Sequence, residues 1–299
     1  MANIPLISVA IPTYNREEVL IDTIENALYN QSLKDIELII IDQSLSHTVE
    51  VQKKLDSIKD SRLRYFKTSP PSVTAARNFA LNLATTPYII FLDDDVNLDN
   101  NIFKEFYTTF KSMPEVSALA GRVMQKGFPI LDQILEFDDL AISHGGFTSK
   151  HSGFTNAFPG GNCALRVKEA LLAGGFDTRY KKNAFREEND LSMRLSRLGY
   201  KIYFQPKAKL THLAAPYGGN RVKTHIYDNF SFYPNELFFT LRFAKRGKKL
   251  KALRAKYHEY CFTTGRKKTA TRKMYYIFGI IVALYRMIYT KQITSQEIL

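Results

Sequence analysis

The chain reads as an α/β protein built on a mostly parallel sheet with helices on both faces, and three observations predict it. Short apolar runs alternate with amphipathic stretches from the N-terminus onward, the pattern of strand–helix–strand units. The runs are too short for ordinary helices and rich in β-branched residues, as strands buried on both faces are. Three of the first four runs end in polar residues with chemistry: Thr13 to Asn15, Asp42, and Asp93 to Asp95. Ligands of such sheets bind beyond the carboxyl ends of the strands, so these endings are expected to share one site.

The elements follow in order. Residues 6–11 are a first strand, ending in a turn whose Thr13 or Asn15 is suited to cap a helix over 16–30. That helix carries Val19, Leu20, Thr23, Ile24, Ala27 and Leu28 at helical spacing, with Glu17 and Glu18 favouring the dipole in its first turn. Residues 36–41 make a second strand, 49–58 a helix, 63–66 a third strand and 72–83 a helix. The run from Tyr88 then stops abruptly at Asp93, Asp94 and Asp95. A helix over 102–110 and a strand over 116–120 come next. The segment 122–158 reads mainly as loop, with a helical stretch near 134–137 and exposed His144 and His151; a long loop of this kind is commonly functional. Residues 159–166 are a glycine-flexed turn into a strand, 167–173 a helix stopped by Gly174-Gly175, and 187–198 a helix. Short strands over 200–204 and 208–213 close this part.

Charge divides the chain. Of 299 residues, 45% are hydrophobic and 24% charged, an ordinary globular mixture. Residues 1–215 hold 25 basic and 25 acidic side chains, so the whole net charge of +13 sits in residues 216–299. Two domains are expected on this basis, 1–215 and a basic, aromatic-rich, mainly helical tail over 216–299. Such a tail seeks phosphate: nucleic acid, anionic lipid or a lipid-linked phosphate. Cys163 and Cys261 lie far apart, which points to neither a zinc site nor a disulfide framework. The N-terminus lacks a basic leader and its apolar run breaks at Pro12, so no signal peptide is expected.

Side chains alternate along a strand, so Asp93 and Asp95 point the same way if extended geometry persists. Three adjacent carboxylates need compensation, and Mn2+ or Mg2+, sharing its shell with water and a substrate phosphate, supplies it economically. Glu187, Glu188 and Asp190 crowd another helix start, more acids than dipole compensation needs. Neither GxGxxG nor GxxxxGK[ST] is present, which removes the dinucleotide fingerprint and the P-loop.

Seven segments in order carry a resemblance. They are Ser8-Val-Ala-Ile-Pro-Thr-Tyr-Asn-Arg16, Glu37-Leu-Ile-Ile-Ile-Asp42, Ala76-Arg-Asn78, Phe91-Leu-Asp-Asp-Asp95, Gly160-Gly-Asn-Cys-Ala-Leu-Arg166, Gly174-Gly-Phe-Asp177 and Glu187-Glu-Asn-Asp-Leu-Ser-Met-Arg194. Over residues 5–215 the chain resembles the inverting nucleotide-sugar glycosyltransferases of family 2. The resemblance implies the GT-A fold, a Rossmann-like, mixed and mostly parallel sheet with helices on both faces. It implies that Pro12, Thr13, Tyr14 and Asn15 wrap the nucleoside and that Asp42 accepts from a pyrimidine N3–H, favouring UDP or dTDP over GDP. Arg77 would lie near the base or diphosphate. Asp93 and Asp95 match the family's DxD, flanking Asp94, with Asp93 near the ribose and Asp95 on the metal. Gly161 and Asn162 would lie near the sugar or acceptor, and His212 matches a late histidine that reaches the metal. The catalytic base falls on Glu188, where the family usually has Asp; that departure leaves Asp190 open as an alternative, with Glu188 favoured.

The implied reaction moves a sugar from a nucleoside diphosphate to the hydroxyl of a glycan or lipid-linked acceptor, with a cytoplasmic enzyme peripheral at the membrane. The apolar run over 274–285 has 12 residues before Arg286, too few for the roughly 20 of a spanning helix. A basic amphipathic segment on an anionic membrane surface and a helix packed on the enzyme's own core are both open. A nucleotidyltransferase and a non-catalytic binding protein are the competing classes. The first normally carries a glycine-rich start that Pro12-Thr-Tyr-Asn-Arg16 is not, and the second leaves the acids at three strand ends unexplained. Nucleic acid is disfavoured as a partner for want of a binding module.

Overall fold

A computed structural model describes residues 4–219, 225–263 and 269–292. The extreme N-terminus read for a leader (residues 1–3) and the basic run 266–268 lie outside the described residues. Strands β1 (Ile7–Thr13), β2 (Ile36–Asp42), β3 (Leu63–Lys67) and β4 (Tyr88–Leu92) are joined by helices α1 (Glu18–Tyr29), α2 (Val49–Ser57) and α3 (Val73–Leu83). They form a parallel half-sheet in the order β3-β2-β1-β4. Thr13 pairs with Asp42 and Ala10 with Phe91, so the carboxyl ends of β1, β2 and β4 are level.

Next come β5 (Val96–Leu98), α4 (Ile102–Ser112) and β6 (Val116–Gln125). A hairpin of β6's neighbours in sequence, β7 (Glu136–Phe137) with β8 (Ser143–His144), and the short β9 (Gly153–Thr155) occupy the loop segment. Strand β10 (Asn162–Arg166) runs antiparallel between β4 and β6. Helices α5 (Val167–Leu172) and α6 (Glu187–Arg197) lead to β11 (Lys201–His212), parallel to β6.

Alternation along the strands sorts the core. Ile7, Val9, Ile11, Leu38, Ile40 and Ile90 pack under α1, α2 and α4, while Ala10, Ile39, Ile41, Ile89 and Phe91 pack under α3, α5 and α6. The sheet is thus covered on both faces, as all-apolar strands require.

Three expectations change. Neither Thr13 nor Asn15 caps α1, which begins at Glu18; the Thr13 hydroxyl is taken by Asp94, and Asn15 holds a left-handed backbone (φ 51°). The two strands expected over 200–213 are one strand with an irregularity between Gln205 and Lys209, where Pro206 has no N–H to give the ladder. Residues 134–137 are not helical: the Asn156 side chain occupies both the N–H and the C=O of Phe137 at 2.8 Å each, fixing an extended backbone.

The tail forms α7 (His225–Phe243), α8 (Lys249–His258) and α9 (Thr269–Tyr289). Leu237, Phe238 and Phe239 of α7 share a third core with Tyr275, Tyr276 and Ala283 of α9 and with Phe137, Tyr180, Ala184 and Met193 of the preceding part. Among the described residues no helix is long and apolar enough to cross a membrane.

Candidate active site

A cavity of about 590 Å³ opens at the carboxyl ends of β1 and β4. Pro12, Thr13 and Tyr14 form one side, Asp93, Asp94 and Asp95 the floor, and Arg77, Gly160 and Gly161 the far wall. Glu187 and Glu188 enter from the start of α6, and His212 from the end of β11.

The triple Asp follows β4 in a turn, and its members diverge. Asp94 accepts from Thr13 Oγ1 at 2.7 Å and pairs with Arg16 Nε at 2.8 Å. Asp95 pairs with Arg16 Nη2 at 3.0 Å and accepts from the Ala215 amide at 2.8 Å. Arg16 therefore neutralises much of the charge for which the sequence suggested a cation. Burial pushes the Asp94 carboxyl up to about 6 against the pull of Arg16 and Thr13. Burial also raises Asp95, but His212 and then Arg16 outweigh it and hold that carboxyl low. Asp93 stays 42% exposed toward the cavity, with Arg77 Nη2 3.8 Å away.

His212 Nε2 lies 3.2 Å from Asp95 Oδ1 and 4.0 Å from Asp93 Oδ2, while Nδ1 meets Gln125 Oε1 at 2.9 Å. An imidazole that donates from Nδ1 presents a lone pair from Nε2. A lone pair facing two carboxylates calls for a proton or a cation between them. The donor set, two carboxylates and one imidazole, suits Mn2+ or Mg2+. Among the described residues no three His, Cys, Asp or Glu side chains are already gathered as a metal site, and Arg16 and the Ala215 amide engage Asp95 Oδ2.

The two glycines leave room for site side chains. A Cβ on Gly161 would lie 2.0 Å from Asp93 Oδ2, and one on Gly160 2.6 Å from Arg77 Nη1. Arg77 pairs with Glu187 and lies 5.4 Å over the Phe176 ring. This leaves Glu188 beside them: among the described residues no other side chain hydrogen-bonds its carboxylate. Burial raises the Glu188 pKa, its own amide, Arg77 and Arg186 lower it, and Asp93 raises it, with a net upward shift.

Four expected site residues stand off the cavity wall. Asp42 is fully buried and accepts from His47, Tyr65 and the Ser44 amide, with Lys67 Nζ at 2.7 Å. Burial would raise its carboxyl, but Lys67, Ser44 and Tyr65 hold it far below the usual range. Asn162 donates to the carbonyls of Arg122 and Ala208, both at 3.0 Å, tying β10 to its neighbours. Asn15 is exposed outside the cavity lining, its backbone N–H donating to Ser44 Oγ. Asp190 is enclosed by Arg194 at 2.6 Å, Tyr180 at 3.0 Å and Arg242. The wall adds Arg16, Gln43, Val73, Phe185, Glu187 and Gly219. Of these, Glu187 is one of the acids crowding the start of its helix, and Arg16 and Gln43 each directly follow a strand-end motif.

Comparison with known proteins bears on this geometry. The family model "Glycosyl transferase family 2" matches residues 8–171. Over 91 residues the chain is 40% identical to the Escherichia coli UDP-Glc:alpha-D-GlcNAc-diphosphoundecaprenol beta-1,3-glucosyltransferase WfaP, covering 30% of this chain and 35% of that protein. The chain spans between a third and two fifths of the length of the first curated relatives it matches. Two solved structures align over nearly the whole chain. One is the mannosyltransferase PcManGT from Pyrobaculum calidifontis in complex with GDP-Man and Mn2+ (TM-score 0.57, 15% identity, 97% of this chain and 89% of that one). The other is GalNAc-T7 with UDP, GalNAc and Mn2+ (TM-score 0.65, 14% identity, 96% of this chain and 58% of that one). At these identities the likeness establishes the GT-A fold.

Proposed function

The chain belongs to glycosyl transferase family 2, and from that premise we propose that it transfers a sugar from a nucleoside-diphosphate donor to an acceptor hydroxyl, inverting the anomeric carbon. The observation that carries the reading is the position of Glu188. Its carboxylate shares a cavity with Pro12 to Tyr14 and with Asp93 to Asp95, whereas Asp190 is occupied by Arg194, Tyr180 and Arg242. An acceptor hydroxyl is a weak nucleophile until a positioned carboxylate takes its proton. Glu188 takes that proton as the hydroxyl oxygen bonds to the anomeric carbon and the bond to the diphosphate breaks. An upward-shifted carboxyl is the stronger base for this step.

Asp95, Asp93 and His212 Nε2 would hold a divalent ion. Mn2+ or Mg2+, when bound, supplies Lewis-acid stabilisation of the departing diphosphate. The Mn2+ and nucleotides named for the two solved structures support this assignment. With Asp42 saturated by protein donors, Pro12, Tyr14, Gln43 and Val73 are the residues left to select the base. The relative named for a diphosphoundecaprenol-linked sugar supports a lipid-linked acceptor.

Calorimetric titration with UDP, dTDP and GDP, with and without Mn2+, tests the donor site. Manganese-dependent binding of at least one of these nucleoside diphosphates is expected. Failure of all three to bind overturns the reading.

A further inference from the structure

Helix α9 carries an apolar stripe on the side turned away from the protein. Tyr275, Tyr276, Gly279 and Ala283 face α7 and are buried. A Cβ on Gly279 would meet Tyr233 Cβ at 2.8 Å, so the two helices are in close contact. At 100° per residue the opposite arc holds Met274, Ile277, Ile281, Leu284, Tyr285 and Ile288. All are exposed, with Ile277 at 58%, Ile281 at 62% and Ile288 at 68%. Between residues 274 and 289 the single charged residue is Arg286, and its guanidinium turns inward to Asn235 Oδ1 at 2.7 Å. The outward face is therefore uncharged for about 21 Å at the helical rise of ~1.5 Å per residue. A continuous apolar face of this kind on a water-exposed helix marks an interaction surface.

We propose that this face of α9 rests on an anionic lipid surface. Charge selects the lipid over a second copy of the chain. The whole +13 lies in residues 216–299. Lys273 borders the stripe at one end, 5.2 Å over the Phe262 ring, and Lys291 follows it at the other. Helix α8, tied to α9 by the Tyr276 hydroxyl on the Leu253 carbonyl at 2.6 Å, exposes Lys251 and Arg254. Two copies meeting through the stripe would bring these cations together, whereas anionic headgroups attract them. A helix with a buried back, an apolar front and basic ends fits the interfacial plane of a bilayer.

Ring contacts run from the cavity wall through α7 to the buried side of α9. Phe185 on the cavity wall packs on Phe232 of α7 at 4.7 Å, and Phe230 of α7 packs on Tyr275 of α9 at 4.8 Å. Helix α7 and the body of α9 therefore lie between the site and the stripe. The consequence that a lipid-linked acceptor is delivered there rests on the glycosyltransferase reading; the membrane contact itself does not.

Flotation of the full chain with vesicles tests it. The chain is expected to float with phosphatidylcholine vesicles containing phosphatidylglycerol, less in high salt, and weakly with phosphatidylcholine alone. The double substitution Ile277→Glu, Ile281→Glu removes two exposed apolar anchors and should lower partitioning by roughly 100-fold or more, with an unchanged melting temperature. The charge variant Lys273→Glu, Lys291→Glu should weaken the preference for phosphatidylglycerol while the stripe stays intact. No flotation of the wild type, or flotation indifferent to both variants, overturns the proposal. So does a lipid-free dimer by ultracentrifugation that the double Ile variant converts to monomer. A chain that floats but binds no nucleotide leaves this inference standing and sinks the enzymatic one; the reverse result does the opposite.

Discussion

The acids that face the cavity and the acids that face the tail are alike in type and opposite in circumstance. Asp177, Asp190 and Glu236 are fully buried, and each is closed off by arginine or lysine: Arg179 and Arg242 on Asp177, Arg194 and Arg242 on Asp190, Arg186 and Lys256 on Glu236. Asp93 is 42% exposed with its nearest cation, Arg77, 3.8 Å away, and Glu188 borders open space. Saturated carboxylates hold elements together; an unsaturated one can accept a new proton or cation. The distinction falls within one helix, since Glu188 and Asp190 are two residues apart on α6. Arg186 joins the two sets, binding Glu236 of α7 at 2.6 Å while it precedes the Glu187-Glu188 pair. The basic tail is therefore part of the wall behind the site.

Substitutions sharpen this contrast, the strongest first. Glu188→Gln is expected to lower kcat by about 10²–10⁴-fold with donor binding retained, read by single-turnover transfer and calorimetry. Normal turnover by this variant would remove Glu188 as the base. Asp190→Ala leaves Arg194 and Arg242 without their shared partner in a buried site. Its expected cost is about 3–5 kcal/mol of stability with kcat per folded molecule nearly unchanged. A stable, inactive Asp190→Ala protein would reverse the assignment of the two acids. Gly161→Ala forces Asp93 to move and should cost on the order of 10²-fold in transfer, with the melting temperature little altered.

The smallest effect is in pH dependence. Because the Glu188 carboxyl lies above its ordinary value, activity should fall as pH drops through a midpoint above the usual ~4.3 of Glu. The pH profile of kcat for wild type against Glu188→Gln reads this directly. Stability behaves differently. Burial raises Asp177 and Glu236, but Arg179 and Arg242 at the first and Arg186 and Lys256 at the second hold both below their ordinary values. Their contribution is complete above the unfolded-state pKa, roughly pH 4, and is lost as pH falls through the lower folded values. Activity should therefore fail at a higher pH than the fold does, as parallel circular-dichroism and rate profiles would register.

Much of the site is legible in the order of residues. The apolar runs ending at Thr13, Asp42 and Asp93 mark the strand ends; Asp93 and Asp95 both lie near His212, but a turn after β4 brings them there, not strand alternation. The fate of Asp42 was hidden because Lys67 and Tyr65 reach it from the neighbouring strand, where Asp42 pairs with Lys67 in register. The role of Arg16 was hidden because a flexible side chain can turn either way at a strand end. The sequence leaves a membrane-surface segment and a helix packed on the enzyme both open for the tail; it does not show which cations turn inward, as Arg242, Lys256 and Arg286 do to Asp190, Glu236 and Asn235.

Local periodicity and the placement of strand-end acids were set by the order of residues alone, since backbone alternation and helical repeat act over a few positions. Which acid stays open to the cavity, which cation closes each buried pair, and which face of α9 is left bare were decided only when distant segments packed. Those outcomes depend on desolvation and on the reach of single side chains across the fold, and neither is a property of neighbouring residues.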